Sequence, residues 1–400
     1  MKLITVYDPT ATDEKSRVRG VGRYFSTLKE AFLAITDGRI KNFESVASEF
    51  RTTSIEPKEK PIFQYLANPI EAKKEHIFLN PFFNPILKNV KTGRKSVKKI
   101  AVIHDLIPLK YPKNFPVGIK GKIYQFFNKR SAKKFDLIIT DSKESKKDIL
   151  KKYKIEEKKI KVLYPTVSKI FTPHLNPGDP AKQHSHPFHK NANKSVAEFT
   201  QLPLSKISKN PKLQNLKDYV IYVGDATWNK NLPILAKAIK MANITCVCVG
   251  QVFTAQNDAK KGSQIHPWQK SLFEFMKYTE KDNRFIFPGF VSDIELLQLY
   301  RNASLNILLS RDEGFGLSYI EAGFMSTPSI LSDIPIFHEI AGDAAEFVPL
   351  DDPKKIAQTI VEVFYDRTRH EKMSIKAFDR AQEFHPDRFA NRWNDVFNLM

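Results

Sequence analysis

The chain has 400 residues, 42% of them hydrophobic, with 30 Phe and 13 Tyr. That is more than one core of ordinary size holds, so two domains are expected, and no apolar run approaches the roughly 18 residues of a membrane-crossing helix. The net charge of +20 is confined to the first half: residues 1–200 hold 40 Lys+Arg against 20 Asp+Glu, and residues 201–400 hold 24 of each. A basic half suggests an anionic partner (nucleic acid, acidic lipid or a phosphorylated substrate) or serves solubility alone.

The opening "MKLITVYDPTATD" carries too little charge and apolar length for a signal peptide, which predicts a cytoplasmic location. Within it, residues 2–8 read as a strand. A glycine turn, "RVRGVGRY" at 17–24, leads into a helix over 24–35 whose apolar residues recur at helical spacing. Strands are predicted at 77–81, 100–105, 136–142 and 160–167, with helix-like segments between them. This alternation predicts a mostly parallel sheet with helices on both faces, over residues 1–170.

From 171 to 215 the chain is polar and rich in Pro, His and Lys, without a period, and reads as a linker or insertion. Its histidines, His174, His184, His186 and His189, lack the fixed geometry of a metal site. A second βα series occupies 216–380, with strands at 219–225, 244–250, 284–291, 305–310, 328–333 and 345–350, and helices at 353–366 and 370–382. Cys246 and Cys248 alternate in the apolar stretch "ITCVCVG" and read as buried thiols. Residues 381–400 form an amphipathic helix with Phe384, Phe389, Trp393, Val396 and Phe397 as its apolar positions. The predicted fold is α/β: two doubly wound Rossmann-like domains facing across a cleft, with ligands at the carboxyl ends of the strands.

The residues with chemical potential lie at such ends. In "SRDEGFGLSYIEA", at 310–322, a strand meets two glycines and then a helix. Gly314 and Gly316 permit close backbone approach, and the N–H groups of a starting helix attract a phosphate. Glu321, just over one turn into that helix, can reach a pair of hydroxyls such as those of a ribose. Glu313 would face whatever lies beyond the phosphates. In "VGDATWNKN", at 223–231, Lys230 can neutralise the same diphosphate. Gly20 and Gly22 form a turn after the first strand, and His104 and Asp105 end another.

Together these features resemble the GT-B-fold retaining glycosyltransferases of family 4 (glycosyl transferases group 1), mannosyltransferases among them. "GVGRYFSTLKEA", "IHDLIPLKYP", "DLIITDSKESKKDIL", "YVGDATWNKNL", "FPGFVSDIELLQLYRNASLNILLSRDEGFGLSYIEAG" and "SDIPIFHEIAGDAAEFVPLDDP" follow that family's order over nearly the whole chain. The most specific element is the pair Glu313 and Glu321 around Gly-Phe-Gly. The resemblance implies a metal-independent hexosyltransferase that needs no cofactor. Its substrate would be a UDP- or GDP-linked sugar, passed with retention to a glycan or lipid-linked acceptor in cell-surface polysaccharide or glycolipid synthesis.

By the same resemblance, Glu321 would bind the ribose and Glu313 the donor sugar. The backbone of Gly314, Phe315, Gly316 and Leu317 would hold the diphosphate, with Lys230 as its cation. Gly20 and Gly22 would lie against the phosphates, and Phe290 and Val291 beside the base. His104 would stand next to the transferred sugar, with Asp105 on the acceptor side, and the terminal helix would return to the first domain. One departure is visible. Arginine is usual right after the strand glycine or just before the lysine, where this chain has Asp225 and Asn229. Arg311 and Arg23 are the candidates to compensate. Two other readings stay open: a catalytically silent GT-B partner subunit, and a polyanion- or nucleic-acid-binding protein, for which no recognisable nucleic-acid motif is present.

The basic half has its own focus. Residues 88–99 are dense in cations, and 118–135 set Ile119, Ile123, Phe126 and Phe127 among Lys120, Lys122, Lys129, Arg130, Lys133 and Lys134. As a helix, that segment either packs its apolar face on the sheet or lies on an anionic membrane at the inner face of the cell.

Overall fold

The computed structural model describes residues 2–8, 20–37, 61–67, 76–90, 97–172, 210–214, 216–254 and 266–400. The four histidines of the polar stretch and residues 91–96 of the basic stretch lie outside them. The chain divides into two compact units. One is Met1–Ser168 with Glu313–Phe315 and Phe384–Met400; the other is Lys169–Asp312 with Gly316–Glu383.

The first unit is a six-stranded, all-parallel sheet. Its elements in chain order are β1 (Leu3–Tyr7), α1 (Gly20–Asp37), β2 (Ile62–Leu66), β3 (Ile77–Asn80), β4 (Lys98–Val102), α2 (Ile119–Ala132), β5 (Leu137–Thr140), α3 (Lys143–Tyr153) and β6 (Ile160–Val162). The strand order is β2-β1-β3-β4-β5-β6. Strands β3 and β5 are buried at every position, as parallel strands covered on both faces must be.

Helix α1 buries Tyr24, Phe25, Leu28, Phe32 and Ile35, a stripe at helical spacing. It begins at Gly20, so Gly20 and Gly22 occupy its first turn rather than a separate glycine turn. Helix α3 is started by Ser142, whose hydroxyl accepts from the Ser145 N–H, and is ended by Lys154 in the left-handed conformation.

The second unit holds β7 (Tyr219–Val223), α4 (Leu232–Ala242), β8 (Thr245–Val249), α5 (Lys270–Thr279), β9 (Phe285–Gly289), α6 (Asp293–Asn302), β10 (Leu305–Leu308), α7 (Leu317–Phe324), β11 (Ser329–Ser332), α8 (Pro335–Ala341), β12 (Glu346–Val348), α9 (Pro353–Tyr365) and α10 (Arg367–Ala381). Its sheet is also six-stranded and parallel, in the order β12-β11-β10-β7-β8-β9. The first strand of this series, β7, thus lies between β8 and β10, and the winding reverses between β7 and β10. In a doubly wound sheet that reversal opens a crevice at the strands' carboxyl ends. Cys246 and Cys248 are buried on one face of β8, with their sulfurs 3.7 Å apart.

The last helix, α11 (Pro386–Leu399), belongs to the first unit. Its Phe389, Trp393, Val396 and Phe397 are all buried in the core that α1 covers, and the Phe32 ring meets Trp393 at 5.5 Å and Phe397 at 5.3 Å. Each such aliphatic or phenyl side chain contributes about 1.5–3 kcal/mol by leaving water, so this helix is integral to the unit.

Helix α2 faces the other way from most helices on a sheet. Only Asn128 and Ala132 are buried on it, and Asn128 docks it by donating to the carbonyls of Asn84 at 3.1 Å and Leu87 at 2.7 Å. Ile119, Ile123, Phe126 and Phe127 are exposed. No described helix is long and apolar enough to cross a membrane.

Candidate functional site

The reversal point of the second unit is where its sequence places chemistry. Strand β7 runs into Gly224, and the loop beyond it carries Asp225 to Asn231. The Asp225 backbone carbonyl accepts the Tyr222 hydroxyl at 2.5 Å, and its carboxylate accepts the Ala226 N–H at 2.8 Å. Trp228–Lys230 make one turn of 3-10 helix, and Asn231, at φ 55°, starts α4. Lys230 is half-buried in this turn.

Strand β10 ends beside it. Arg311, three residues past β10, donates its backbone N–H to the Asn229 carbonyl at 2.6 Å. Asn229 returns a bond from Nδ2 to the Asp312 carbonyl at 3.0 Å, and its Oδ1 accepts the Thr227 hydroxyl at 2.8 Å. Asn231 donates to the Leu350 carbonyl at 2.7 Å. The two loops are thereby locked together by backbone and amide groups. Asn229, one of the two positions where arginine was missing, is a buried brace between them.

The glycine turn follows. Gly316 has φ 112° and forms the start of α7; a Cβ there would stand 3.1 Å from Ile340 and 3.2 Å from Phe337, so only glycine fits. Leu317 is the first residue of α7 and is half-buried. Glu321, one turn on, is only 3% exposed, and its Oε2 accepts the Tyr300 hydroxyl at 2.9 Å. Tyr300 comes from α6, and nothing in the apolar run "ELLQLY" marked it as a partner for a carboxylate. Phe290, exposed, and Val291, buried, follow β9 at the sheet's edge, two strands from β7.

In the first unit the polar cluster forms where β4 and β5 end. His104 Nδ1 lies 2.8 Å from Asp141 Oδ2, and its Nε2 lies 3.1 Å from the Pro81 carbonyl. Both partners are acceptors, which favours an imidazole with two N–H donors. Burial alone would lower the His104 pKa, but the charge and hydrogen bond of Asp141, with help from Asp105 and the Pro81 carbonyl, leave it raised. The Tyr24 ring stands edge-on to His104, with centroids 4.5 Å apart.

Asp105 is not the residue bonded to His104. Its Oδ1 accepts at 2.9 Å the N–H of Ile107, the first residue of a one-turn helix, Ile107–Lys110. Neighbouring side chains at a strand end point to opposite sides, so His104 finds its carboxylate just past the end of the adjacent strand, β5. Burial raises the Asp105 pKa, opposed by the Ile107 bond and His104 and reinforced by the charges of Asp141 and Glu313. Phe315 is buried, its ring stacked on Tyr164 at 6.0 Å, which leaves its backbone as the available group. Gly20, Gly22 and Arg23 share the first turn of α1, where helix N–H groups lack partners within the helix.

Comparison with known proteins bears on the family and the fold. Residues 205–380 match the family model described as glycosyl transferases group 1. O-antigen chain mannosyltransferase RfbU of Salmonella typhimurium is 28% identical over 265 residues, covering 65% of this chain and 59% of the relative. Serotype-specific mannosyltransferase WbdA of Escherichia coli is 35% identical over 103 residues, 25% of this chain and 13% of the relative. The chain therefore spans less than two thirds of the curated relatives that it matches.

Among solved structures, Anabaena HepE in complex with UDP-glucose superposes with a TM-score of 0.61 at 13% identity, over 100% of both chains. WaaG, a glycosyltransferase involved in lipopolysaccharide biosynthesis, gives 0.57 at 11% identity over 99% of both. The fold is GT-B, as the sequence motifs imply.

Proposed function

We propose that this GT-B chain is a glycosyltransferase that moves a sugar, mannose first among the candidates, from a nucleotide-sugar to a glycan or lipid-linked acceptor in cell-surface polysaccharide synthesis. The observation that carries the reading is the reversal point of the second unit. There a locked loop bearing Lys230, a glycine-started helix and a buried glutamate held by Tyr300 meet within the segment that matches the family. The names of the mannosyltransferase relatives support the sugar, and the UDP-glucose complex of HepE supports a nucleotide-linked donor.

In this reading Glu321 accepts from the ribose hydroxyls, while Lys230 and the amides that begin α7 take the charge of the departing diphosphate. Those groups supply the electrostatic stabilisation without a metal ion. Phe290 and Val291 flank the base, Gly20 and Gly22 approach the phosphates, Glu313 contacts the donor sugar, and His104 and Asp105 serve the acceptor side. The bond from the anomeric carbon to the diphosphate oxygen breaks as the acceptor hydroxyl oxygen bonds that carbon. The hydroxyl proton passes to the leaving phosphate oxygen. Transfer on the front face in this way retains the configuration.

The acceptor side has a second support. Helix α2 exposes an apolar face bordered by cations, and no Asp or Glu occurs between Asp105 and Asp136. An anionic bilayer is the surface this composition fits, which suits a lipid-linked acceptor at the cytoplasmic leaflet.

The deciding experiment presents UDP- and GDP-linked sugars to the full chain and follows release of UDP or GDP, with NMR of the anomeric proton of the product. A thermal-shift series with UDP and GDP accompanies it; a ligand at 100 times its Kd stabilises by about 2.7 kcal/mol. Absence of both stabilisation and donor turnover would refute the reading.

A further inference from the structure

The loop after β7 has no arginine at 225 or 229, yet a guanidinium is fixed against that loop from the neighbouring strand. Arg311 Nη2 donates to Asn231 Oδ1 at 2.5 Å, and its backbone N–H holds the Asn229 carbonyl. Its guanidinium carbon stands 5.4 Å from the centre of the Trp228 ring. Trp228, Asn229 and Asn231 are the residues on either side of Lys230. Arg311 is thus built into the same turn that carries the lysine.

What distinguishes Arg311 from Arg284, Arg369 and Arg380 of the same unit is what it lacks. Arg284 pairs with Asp282 at 2.8 Å; Arg369 pairs with Glu346 at 2.7 Å and Glu362 at 3.3 Å; Arg380 donates to the carbonyls of Ile340 at 2.7 Å and Glu339 at 2.8 Å. Among the described residues no carboxylate lies within 4.0 Å of Arg311, and its Nε is buried without a hydrogen-bond partner. Burial holds its pKa below the usual guanidinium value, offset by Asp351 and Glu274 acting at longer range. It stays charged all the same, because guanidinium does not deprotonate in proteins. A structural arginine would have its donors filled, since a buried donor left unpaired costs about 1–3 kcal/mol. A half-exposed guanidinium fixed by an amide and an indole beside the crevice of a doubly wound sheet, with no carboxylate to pair it, is arranged for an anionic ligand.

We infer that Arg311 is the second cation of the donor subsite, donating to phosphoryl oxygens of the nucleoside diphosphate alongside Lys230. The inference rests on the nucleotide-sugar reading and deepens it. It assigns to the strand after the reversal the charge that this family usually carries in the loop before it. The planar fork suits two oxygens on one diphosphate, whereas a monophosphate offers less for it to reach.

Calorimetric titration of the full chain with UDP, GDP, UMP and GMP tests it, using Arg311→Gln and Arg311→Lys. The Gln variant is expected to bind the preferred diphosphate about tenfold or more weakly, with a clearly smaller loss for the matching monophosphate. The Lys variant keeps the charge without the fork and should fall between Gln and wild type; it decides the matter if the Gln variant does not fold. Wild type that binds neither diphosphate overturns the inference together with the reading beneath it. Wild type that binds, with the variants equal to it, overturns the inference alone. Equal losses for mono- and diphosphate also overturn it, because Arg311 would then act only by shaping the loop.

Discussion

His104 and Asp141 are 37 positions apart in sequence and 2.8 Å apart in space, because β4 and β5 are neighbouring parallel strands that end level with each other. The pairing raises the His104 pKa despite the burial that opposes it, and Asp105 adds in the same direction. A raised folded-state value fixes the sign. The contribution of the pair to stability is full below the ordinary value of 6.5 and is lost as pH rises through the folded value. Asp141→Asn should therefore lower the His104 pKa in an NMR titration. The Tm gap between wild type and variant should shrink as pH rises. A gap that stays constant with pH would show that the imidazole does not carry the charge.

Tyr300 and Glu321 make the corresponding pair in the second unit. Removing the hydroxyl in Tyr300→Phe leaves a buried carboxylate oxygen short of a donor, at a cost of about 1–3 kcal/mol, read as a lower urea midpoint. Glu321→Ala should weaken the binding of UDP or GDP by a similar 1–3 kcal/mol, roughly, through loss of the ribose contact. Unchanged affinity of Glu321→Ala for both nucleotides would rule out the ribose role.

Lys230 and His104 should separate in kinetics. Lys230→Ala is expected to reduce turnover by about 100-fold or more, since it removes a charge that meets the departing diphosphate. His104→Ala should lower turnover while nucleotide affinity stays close to wild type. Steady-state rates with a fixed donor, together with the Kd of UDP or GDP, give both numbers. Wild-type rates in both variants would count against the site as a whole.

Most strands are legible because a parallel strand covered on both faces is an apolar run between polar turns, as "LNIL" and "DLIIT" are. Strand β2 was not read from sequence. It is an edge strand with no fully buried position, and its Gln64 and Tyr65 break the apolar run. The sequence overestimates strand ends for a related reason: Ile103 is as buried as Val102 and its N–H still bonds the Ile139 carbonyl at 2.9 Å, but β4 ends at Val102 and His104 and Asp105 lie beyond it. Glu313, Glu321, Lys230 and the two glycines stood out because they cluster in short motifs. Asp141, Tyr300 and the supports of Arg311 did not, since each is joined to its partner only by tertiary packing. Periodicity likewise yields an apolar face on α2 without saying which way that face turns. Its outward direction is set by Asn128, which uses the carbonyls of Asn84 and Leu87 as its dock.

That outward face leads to the remaining prediction. Ile119, Ile123, Phe126 and Phe127 lie within about a third of the helix circumference by the 3.6-residue period, and they are 81%, 48%, 56% and 59% exposed. The Arg130 guanidinium stands 3.7 Å from the Phe126 ring centre, and Lys120, Lys122, Lys129, Lys133 and Lys134 are exposed around it. Leaving so much apolar surface in water is unfavourable, and each cation near an anionic surface contributes about 1 kcal/mol. The full chain should therefore co-sediment with vesicles containing phosphatidylglycerol, less so at high salt, and not with neutral vesicles. Phe126→Ser with Phe127→Ser should weaken binding at every salt concentration. Lys129→Gln with Lys133→Gln should instead flatten the salt dependence, because the apolar insertion remains and the charge attraction does not. Light scattering on the same samples covers the other occupant of such a face, a second copy of the chain. Dimerisation without vesicle binding would assign α2 to self-association, and equal partitioning onto neutral and anionic vesicles would remove the role of the lysines.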